Sequence, residues 1–422
     1  MVIERPEPRA APAPVQAFAA LRHHDYRWYY LTSVASMLGD SVEHVISYWV
    51  MFQAFHSPAL AGFAVISHWL PFLVLSVWMG SLADRVDCRK LIQVSQGLYM
   101  LATFLWGVLY LTGTLRAWHA AALLTIHGLA GVVAQPPSQL IIHDMVGLEH
   151  LQSAIRLTAS SRYLAILLGP AVGGGLMLLL GPGWGLIVNV LIYVPLSIFL
   201  LRVPQTGHER EGLTARAAAL GFAEARRILA EVRADRRIVT MIVLGGVTSL
   251  FVGNAFQAQM PEYAHHLGAD ESGVGYSILL AANALGAVVG AMLLESLALL
   301  RPSARTALVC AAIWAALMGL FPAAQSYPTA VTLLLLAGLF NIAFTAMAQT
   351  LVQVLAPARL RGRVVGLFAA SSLGLRAGSG LTVGVLGAVI DIHWSLALSS
   401  AAVLLITLAL LALDVRHAHP RS

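Results

Sequence analysis

Twelve stretches of about 20 or more mostly apolar residues, separated by short polar segments, constrain this 422-residue chain more than anything else in it. A run of that length can cross the hydrocarbon core of a bilayer. There the backbone must satisfy its own hydrogen bonds, which leaves the α-helix as the available form. The runs predict spans near 28–55, 59–83, 91–113, 117–141, 154–181, 183–201, 238–262, 272–296, 304–323, 328–355, 364–389 and 393–413. Only 11% of residues are charged and 58% are hydrophobic, whereas ordinary soluble proteins are about 25% charged. The fold class expected is therefore all-α integral membrane.

The spans divide into two sets of six. The organisation expected is a cytoplasmic tail (1–27), an N-terminal six-helix half (28–201), a cytoplasmic linker (202–237), a C-terminal six-helix half (238–413) and a second cytoplasmic tail (414–422). The arginine-rich linker carries Leu213, Leu220, Phe222, Ile228, Leu229 and Val232, a pattern for a surface helix tethering the halves. With both termini inside, every Lys and Arg except Arg116, Arg162 and Arg376 falls on the cytoplasmic side. The outer loops carry Glu262, Asp270, Glu271 and Asp391, the asymmetry expected of a bacterial-type inner membrane protein. Residues 1–20 lack a compact apolar block with a cleavage site, so the first span is expected to insert uncleaved. A shift of 211 residues lays Ser160-Ser161 on Ser371-Ser372, Gly169 on Gly380 and Gly173 on Gly384, in the fifth and eleventh spans.

Several function classes are excluded on composition and motif. The net charge of +6 reflects cytoplasmic loops rather than a nucleic-acid surface. Cys88 and Cys310 stand too far apart in context for a disulfide frame or a cysteine metal site. No phosphate-binding Gly-x-x-x-x-Gly-Lys-Ser/Thr loop, His-Glu-x-x-His pair or nucleophile elbow occurs, so no enzyme activity and no cofactor are expected. His23-His24 and His265-His266 are adjacent pairs that do not share a helix face, so no metal site is expected of them.

Charge inside the membrane is costly and marks function. Asp40 lies about twelve residues into the first span, which at 1.5 Å per residue is roughly 18 Å deep, near the midplane. Glu43 and His44 follow at three and four residues and share its face. These three are the expected proton-coupling residues, and Asp40 and Glu43 are also candidates for holding a cationic substrate. Arg162 and Arg376 are the deep basic residues, each in need of a partner. Asp40 or Glu43 with Arg162 is the pairing expected in the N-terminal half, while Arg376 is open between cavity and seam. His68 and His127 lie within the second and fourth spans, and Tyr48, Trp49 and Phe52 offer rings for stacking.

Two further motifs carry mechanics. Gly80-Ser81-Leu82-Ala83-Asp84-Arg85-Val86-Asp87-Cys88-Arg89-Lys90 is a charged hairpin between two spans, placed where a carboxylate can cap a neighbouring helix and be released as helices move. Ala165 to Gly174 contains Gly169-Pro170-Ala171-Val172-Gly173-Gly174, where glycine permits close helix contact and proline bends the helix. The first resembles the Gly-x-Leu-Ala-Asp-Arg loop of major facilitator superfamily transporters, with Asp87 in place of a second glycine and Cys88 at a commonly basic position. The second resembles the Gly-x-x-x-Gly-Pro-x-x-Gly-Gly motif of drug:proton antiporters, with Ala165 for the first glycine. Ser36-Met37-Leu38-Gly39-Asp40 and Leu360-Arg361-Gly362-Arg363-Val364 resemble the enterobactin-exporter-like and macrolide-efflux-like branch.

That resemblance implies a conformational latch at Gly80, Asp84, Arg85, Arg89, Lys90, Arg361 and Arg363, and an antiporter segment at Gly169, Pro170, Gly173 and Gly174. It also implies a cavity lined by the first, fourth, seventh and tenth spans. Polar residues there join the candidate substrate contacts, which are Asp40, Glu43, Arg162, His127, Gln135, Asn254, Gln257, Asn341, Gln349 and Arg376. The function implied is efflux of a small organic or amphipathic molecule, a drug, siderophore or metabolite, by proton antiport and rocking of two halves. The partners are substrate, protons and lipids, with the chain monomeric. A lipid or lysolipid flippase of the same fold is an alternative, and a non-transporting membrane sensor a further one.

Overall fold

The computed structural model describes residues 18–209, 222–233, 235–269, 272–297, 303–357 and 360–418. Asp270, Glu271, Leu213 and Leu220 lie outside the described residues. The described chain is helical from end to end, and its helices begin where capping chemistry allows. Ser57 accepts the Leu60 N–H at 3.3 Å just ahead of Pro58 and opens α2 (Pro58–Ala83). Asp87 accepts the Arg89 N–H at 2.9 Å and opens α3 (Cys88–Leu111). Side-chain oxygens at these positions satisfy the orphan donors of a first helical turn.

The N-terminal half consists of α1 (His24–Phe55), α2, α3 and α4 (Ala117–Arg202). The last is 86 residues long but not straight. Gly147 (φ 67°) and Gly181 (φ 75°) leave helical geometry and fold it into three legs, 117–146, 148–180 and 182–202. Both turns use positive φ, which glycine adopts without the steric cost a Cβ would bring. Among the described residues nine helices are long and apolar enough to cross a membrane, with α4 counted once.

The linker region supplies a short amphipathic helix, α5 (Phe222–Val232). Spans of the second half follow as α6 (Arg236–Phe251), the short α7 (Ala255–Ala258) and α8 (Met260–His266), then α9 (Val274–Leu297), α10 (Ala304–Leu320) and α11 (Tyr327–Leu355). The eleventh expected span is broken into α12 (Arg361–Ala369), α13 (Arg376–Ser379) and α14 (Leu386–Ile390), joined by two π-helical stretches, Ala370–Gly374 and Gly380–Val385. The chain's last helix is α15 (Ile392–Ala418).

One continuous helix over 238–262 was the sequence expectation, and the structure breaks it at Gly253 (φ 44°). The break and the π stretches compensate one another. Thr382 Oγ1 donates to the Leu250 and Phe251 carbonyls at 3.1 and 2.8 Å, and Gln259 Nε2 donates to the Val383 carbonyl at 3.1 Å. Carbonyls freed inside lipid need such partners.

Hydrogen bonds and ring contacts between the two halves, among the described residues, lie in the middle of the bundle or toward the end opposite the chain termini. Tyr276 OH donates to the Val45 carbonyl at 3.1 Å and its ring stacks on Trp49 at 6.0 Å. Phe52 meets His265 at 5.7 Å. Nearby, α2 touches the eleventh span backbone to backbone: a Cβ on Gly62 would stand 2.4 Å from the Gly380 carbonyl oxygen and 2.8 Å from Gly384 Cα.

Candidate functional site

Asp40, Glu43 and His44 share one face of α1, and the structure closes that face with side chains from two other elements. Gly128, in the first leg of α4, sets the approach. A Cβ there would lie 2.0 Å from the Ser67 carbonyl oxygen, so only the missing side chain lets this leg touch α2. The neighbours of this contact, His127 and His68, come to 5.7 Å ring to ring. His44 stands 4.6 Å from the His127 ring and 5.0 Å from that of His68.

His127 lies between the two carboxylates. Its Nε2 is 2.9 Å from Asp40 Oδ1, and its Nδ1 contacts Glu43 Oε2. These contacts are close in distance but oblique in angle, so they hold as ion pairs and leave both ring nitrogens without an aligned hydrogen bond. His44 Nδ1 donates to the Asp40 backbone carbonyl at 2.8 Å. Exposure falls steeply across the group: the side chains of Asp40 and His44 are 35% and 23% exposed, those of His127 and Glu43 only 3% and 2%. Asp40 is thus the open end of a chain of titratable groups that runs inward through His127 to Glu43.

Aromatic rings wall the buried side. Tyr99 lies 4.8 Å from His127 and stacks on Tyr193 at 5.6 Å. Tyr193 in turn packs where Gly39 has no side chain, 3.1 Å from the position of its Cβ, and Asn189 Nδ2 donates to the Gly39 carbonyl at 2.8 Å. The Gly39-Asp40 pair therefore seats α1 against the third leg of α4 while turning the carboxylate toward the histidines.

The expected pairing of Asp40 or Glu43 with Arg162 is corrected: both carboxylates meet His127, one leg earlier in α4. Arg162 is exposed and makes no ion pair among the described residues, although it lies within electrostatic reach of His68 and Tyr99. Arg376 is placed at the seam, its guanidinium 5.0 Å from the centre of the Trp69 ring on α2. Gln135 and Gln349 are exposed, and Asn254, Gln257 and Asn341 are half-buried. None of the five takes part in the hydrogen bonds, ion pairs or ring contacts of the Asp40 group. Sequence reasoning gave His68 a location without a role and passed over Tyr99, Tyr193 and Trp69. Only the polarity of His68 in an apolar run signalled it.

Elsewhere the hairpin keeps its own order. Arg89 forks onto Asp87 at 3.0 and 2.7 Å and donates to the Val203 carbonyl at 2.8 Å. Those Arg89 hydrogen bonds hold the Asp87 carboxyl below the usual carboxylate range. Gly80, Asp84, Arg85 and Lys90 belong to the same hairpin. Asp84, Arg85 and Lys90 are exposed, as are Arg361 and Arg363 at the start of α12. Cys88 accounts for its departure from a basic residue: Gly207 (φ 93°) folds the linker back over it, with a Cβ there only 2.3 Å from Cys88 Sγ. The Gly169-Pro170 segment is a packing seam. Added Cβ atoms at Gly169 and Gly173 would meet Ser41 Oγ at 2.0 Å and Val45 Cγ1 at 2.9 Å on α1, and one at Gly174 would meet Ser277 of the other half at 2.8 Å.

The chain matches the family described as transmembrane secretion effector over residues 15–421. It is 22% identical over 189 residues to the staphyloferrin A transporter of Staphylococcus aureus, a match covering 42% of this chain and 47% of that one. The chain thus spans about half the length of the curated relative it matches. Among solved structures it is similar to a bacterial homologue of the human lysosomal transporter Spinster in an inward-facing, unoccupied conformation, with TM-score 0.71, 14% identity, and coverage of 95% and 98%. A D-xylose-proton symporter gives TM-score 0.65 at 16% identity, covering 90% and 97%. Two apolar helical halves meeting at a glycine seam, and a match along nearly the whole sequence, make this chain a member of the transmembrane secretion effector family of major facilitator transporters.

Proposed function

We propose that this transporter is a proton-coupled exporter of small organic or amphipathic molecules, working by alternating access. Twelve crossings follow if α4 counts as three spans and α1 as one more. Both termini are then cytoplasmic, in the inner membrane, in keeping with the distribution of Lys and Arg. The observation that carries the reading is the Asp40–His127–Glu43 group, a charged relay at middle depth with one open and one buried end. Secretion in the family's description and the Gly169-Pro170 seam support export. The relative's named cargo supports a small organic substrate.

In this cycle Asp40, the exposed member, exchanges its proton with the cavity. While ionised it pairs with His127. Protonation cancels that pair and weakens the hold of α1 on α4, and a substrate bearing a cationic or hydrogen-bond-donating group competes with the proton for the same carboxylate. Contacts between the halves concentrated away from the termini fit a state open to the cytoplasm, from which the exposed Asp84 hairpin and Arg361 and Arg363 would close as a latch. Purified protein in proteoliposomes, tested with a panel of siderophores, macrolides and lysolipids under an imposed pH gradient, checks the reading. Gradient-driven movement of at least one organic solute is expected. Solute-independent behaviour, or movement of lysolipid alone, overturns it.

A further inference from the structure

The histidines around Asp40 outnumber what a proton relay needs, and their arrangement has the chemistry of a metal site. Ligand atoms of His44, His68 and His127 all lie within 4.8 Å of one another, and in a second set so do those of Asp40, Glu43, His44 and His127; the two sets share His44 and His127, while Asp40 and His68 fall in different ones. Around a tetrahedral Zn²⁺ with bonds of 2.0–2.1 Å, ligand atoms sit about 3.3 Å apart, so closing a four-ligand set on the shared His44 and His127 takes side-chain rotations that bring Asp40 and His68 together.

The surroundings supply what a bound metal requires beyond its ligands. His44 gives its Nδ1–H to a backbone carbonyl, which can only accept, and this leaves Nε2 with its lone pair. Glu43 stands against His127 Nδ1, favouring the proton there and freeing Nε2 toward Asp40. A carboxylate behind a ligating histidine is the usual means of fixing its tautomer. His127 is 3% exposed, yet neither of its nitrogens has an aligned hydrogen bond, nor do His68 Nδ1 and Asp40 Oδ1. Asp40 and His44 stay partly open and give a cation its entry.

We propose that His44, His68 and His127, with Asp40 as the anionic ligand and Glu43 as a positioning residue, bind a divalent transition-metal cation of the Zn²⁺ class. The cation takes the place of the proton on His127 Nε2. One proton leaves as the metal–nitrogen bond forms, so metal and proton exclude each other at this position. This second consequence rests on the proton-relay reading, whereas metal binding itself does not.

The test is titration of the full chain in detergent with Zn²⁺ alone, in two buffers of different ionisation enthalpy, with Co²⁺ absorption as the geometric readout. One equivalent is expected to bind with release of about one proton, Co²⁺ giving the intense visible bands of a four-coordinate site. Affinity should fall at least about tenfold in His68→Ala, and about 10–100-fold in Glu43→Gln as for other residues behind a metal ligand. His68→Ala leaves the His127–carboxylate pairs intact, so its fold is checked by its melting curve. Wild-type affinity in both His68→Ala and Asp40→Asn would place the metal on surface histidines and overturn the proposal, as would the absence of stoichiometric binding. Zn²⁺ binding without proton release keeps the site but rejects competition. Proton-driven flux, measured separately in metal-free vesicles, bears only on the transport reading.

Discussion

Glu43 is the residue whose environment demands most. It is a carboxylate with 2% exposure, and its ion-pair partner is His127. Burying an ion with a partner is tolerable, but removing the partner strands the charge at about 3–5 kcal/mol. His127→Ala should therefore lower the melting temperature in detergent far more than Glu43→Gln does. The double variant should recover most of the loss, and a double variant as unstable as His127→Ala would show that the pair does not carry the effect. At the loop end, Asp87 acts as helix cap and as the base of the Arg89 fork. Its lowered pKa means that its contribution is complete above the ordinary carboxylate range, about 4, and lost as pH falls through the lowered value. Asp87→Asn should flatten that acid limb of a stability-against-pH curve, its loss of stability being full at pH 7 and vanishing as pH falls through the lowered value. An unaltered acid limb would contradict the assignment.

At the scale of elements, absent side chains decide which helices meet. Gly128 joins the first leg of α4 to α2, Gly169 and Gly173 join the second leg to α1, and Gly62 joins α2 to the eleventh span across the halves. Gly173→Leu should cost about 1–3 kcal/mol of packing and introduce proton leak in vesicles; vesicles that stay tight would make this segment ordinary packing. Gly62→Val should push α2 from Gly380 and Gly384 and favour the state in which the end opposite the termini is open. With Cys88 and Cys310 buried, a Ser57→Cys reporter near that seam should react at least several-fold faster with an impermeant thiol reagent in the Gly62→Val background. An equal rate would rule the contact out as a closure. These elements also mark how far the sequence could be read. Long apolar runs give helix positions to within a few residues, because length and hydrophobicity alone specify a span. The break at Gly253 and the π stretches around Arg376 were hidden, since their freed groups are met by partners such as Thr382 and Gln259, more than 100 residues away in the chain. Asp40, Glu43 and His44 were legible from helical spacing. Their meeting with His127 and His68 was not, because it depends on a backbone contact between Gly128 and Ser67.

Across the whole molecule, the two halves touch toward one end, and the titratable group sits inside one half beside the seam. Tyr276 from the second half bonds the Val45 carbonyl, one residue beyond His44 on α1. A change in charge at Asp40 and a change in the seam therefore act on the same helix, which is the physical link a coupled transporter needs. The direct measurement of that link is proton movement in proteoliposomes, read by an internal pH dye on addition of a transported solute, for the wild type and Asp40→Asn. Wild-type protein is expected to move protons opposite to solute, and Asp40→Asn to lose at least about 90% of that flux while still folding in detergent, because it keeps the side chain's size but not its charge. Solute-coupled proton flux at the wild-type rate in Asp40→Asn would contradict the account.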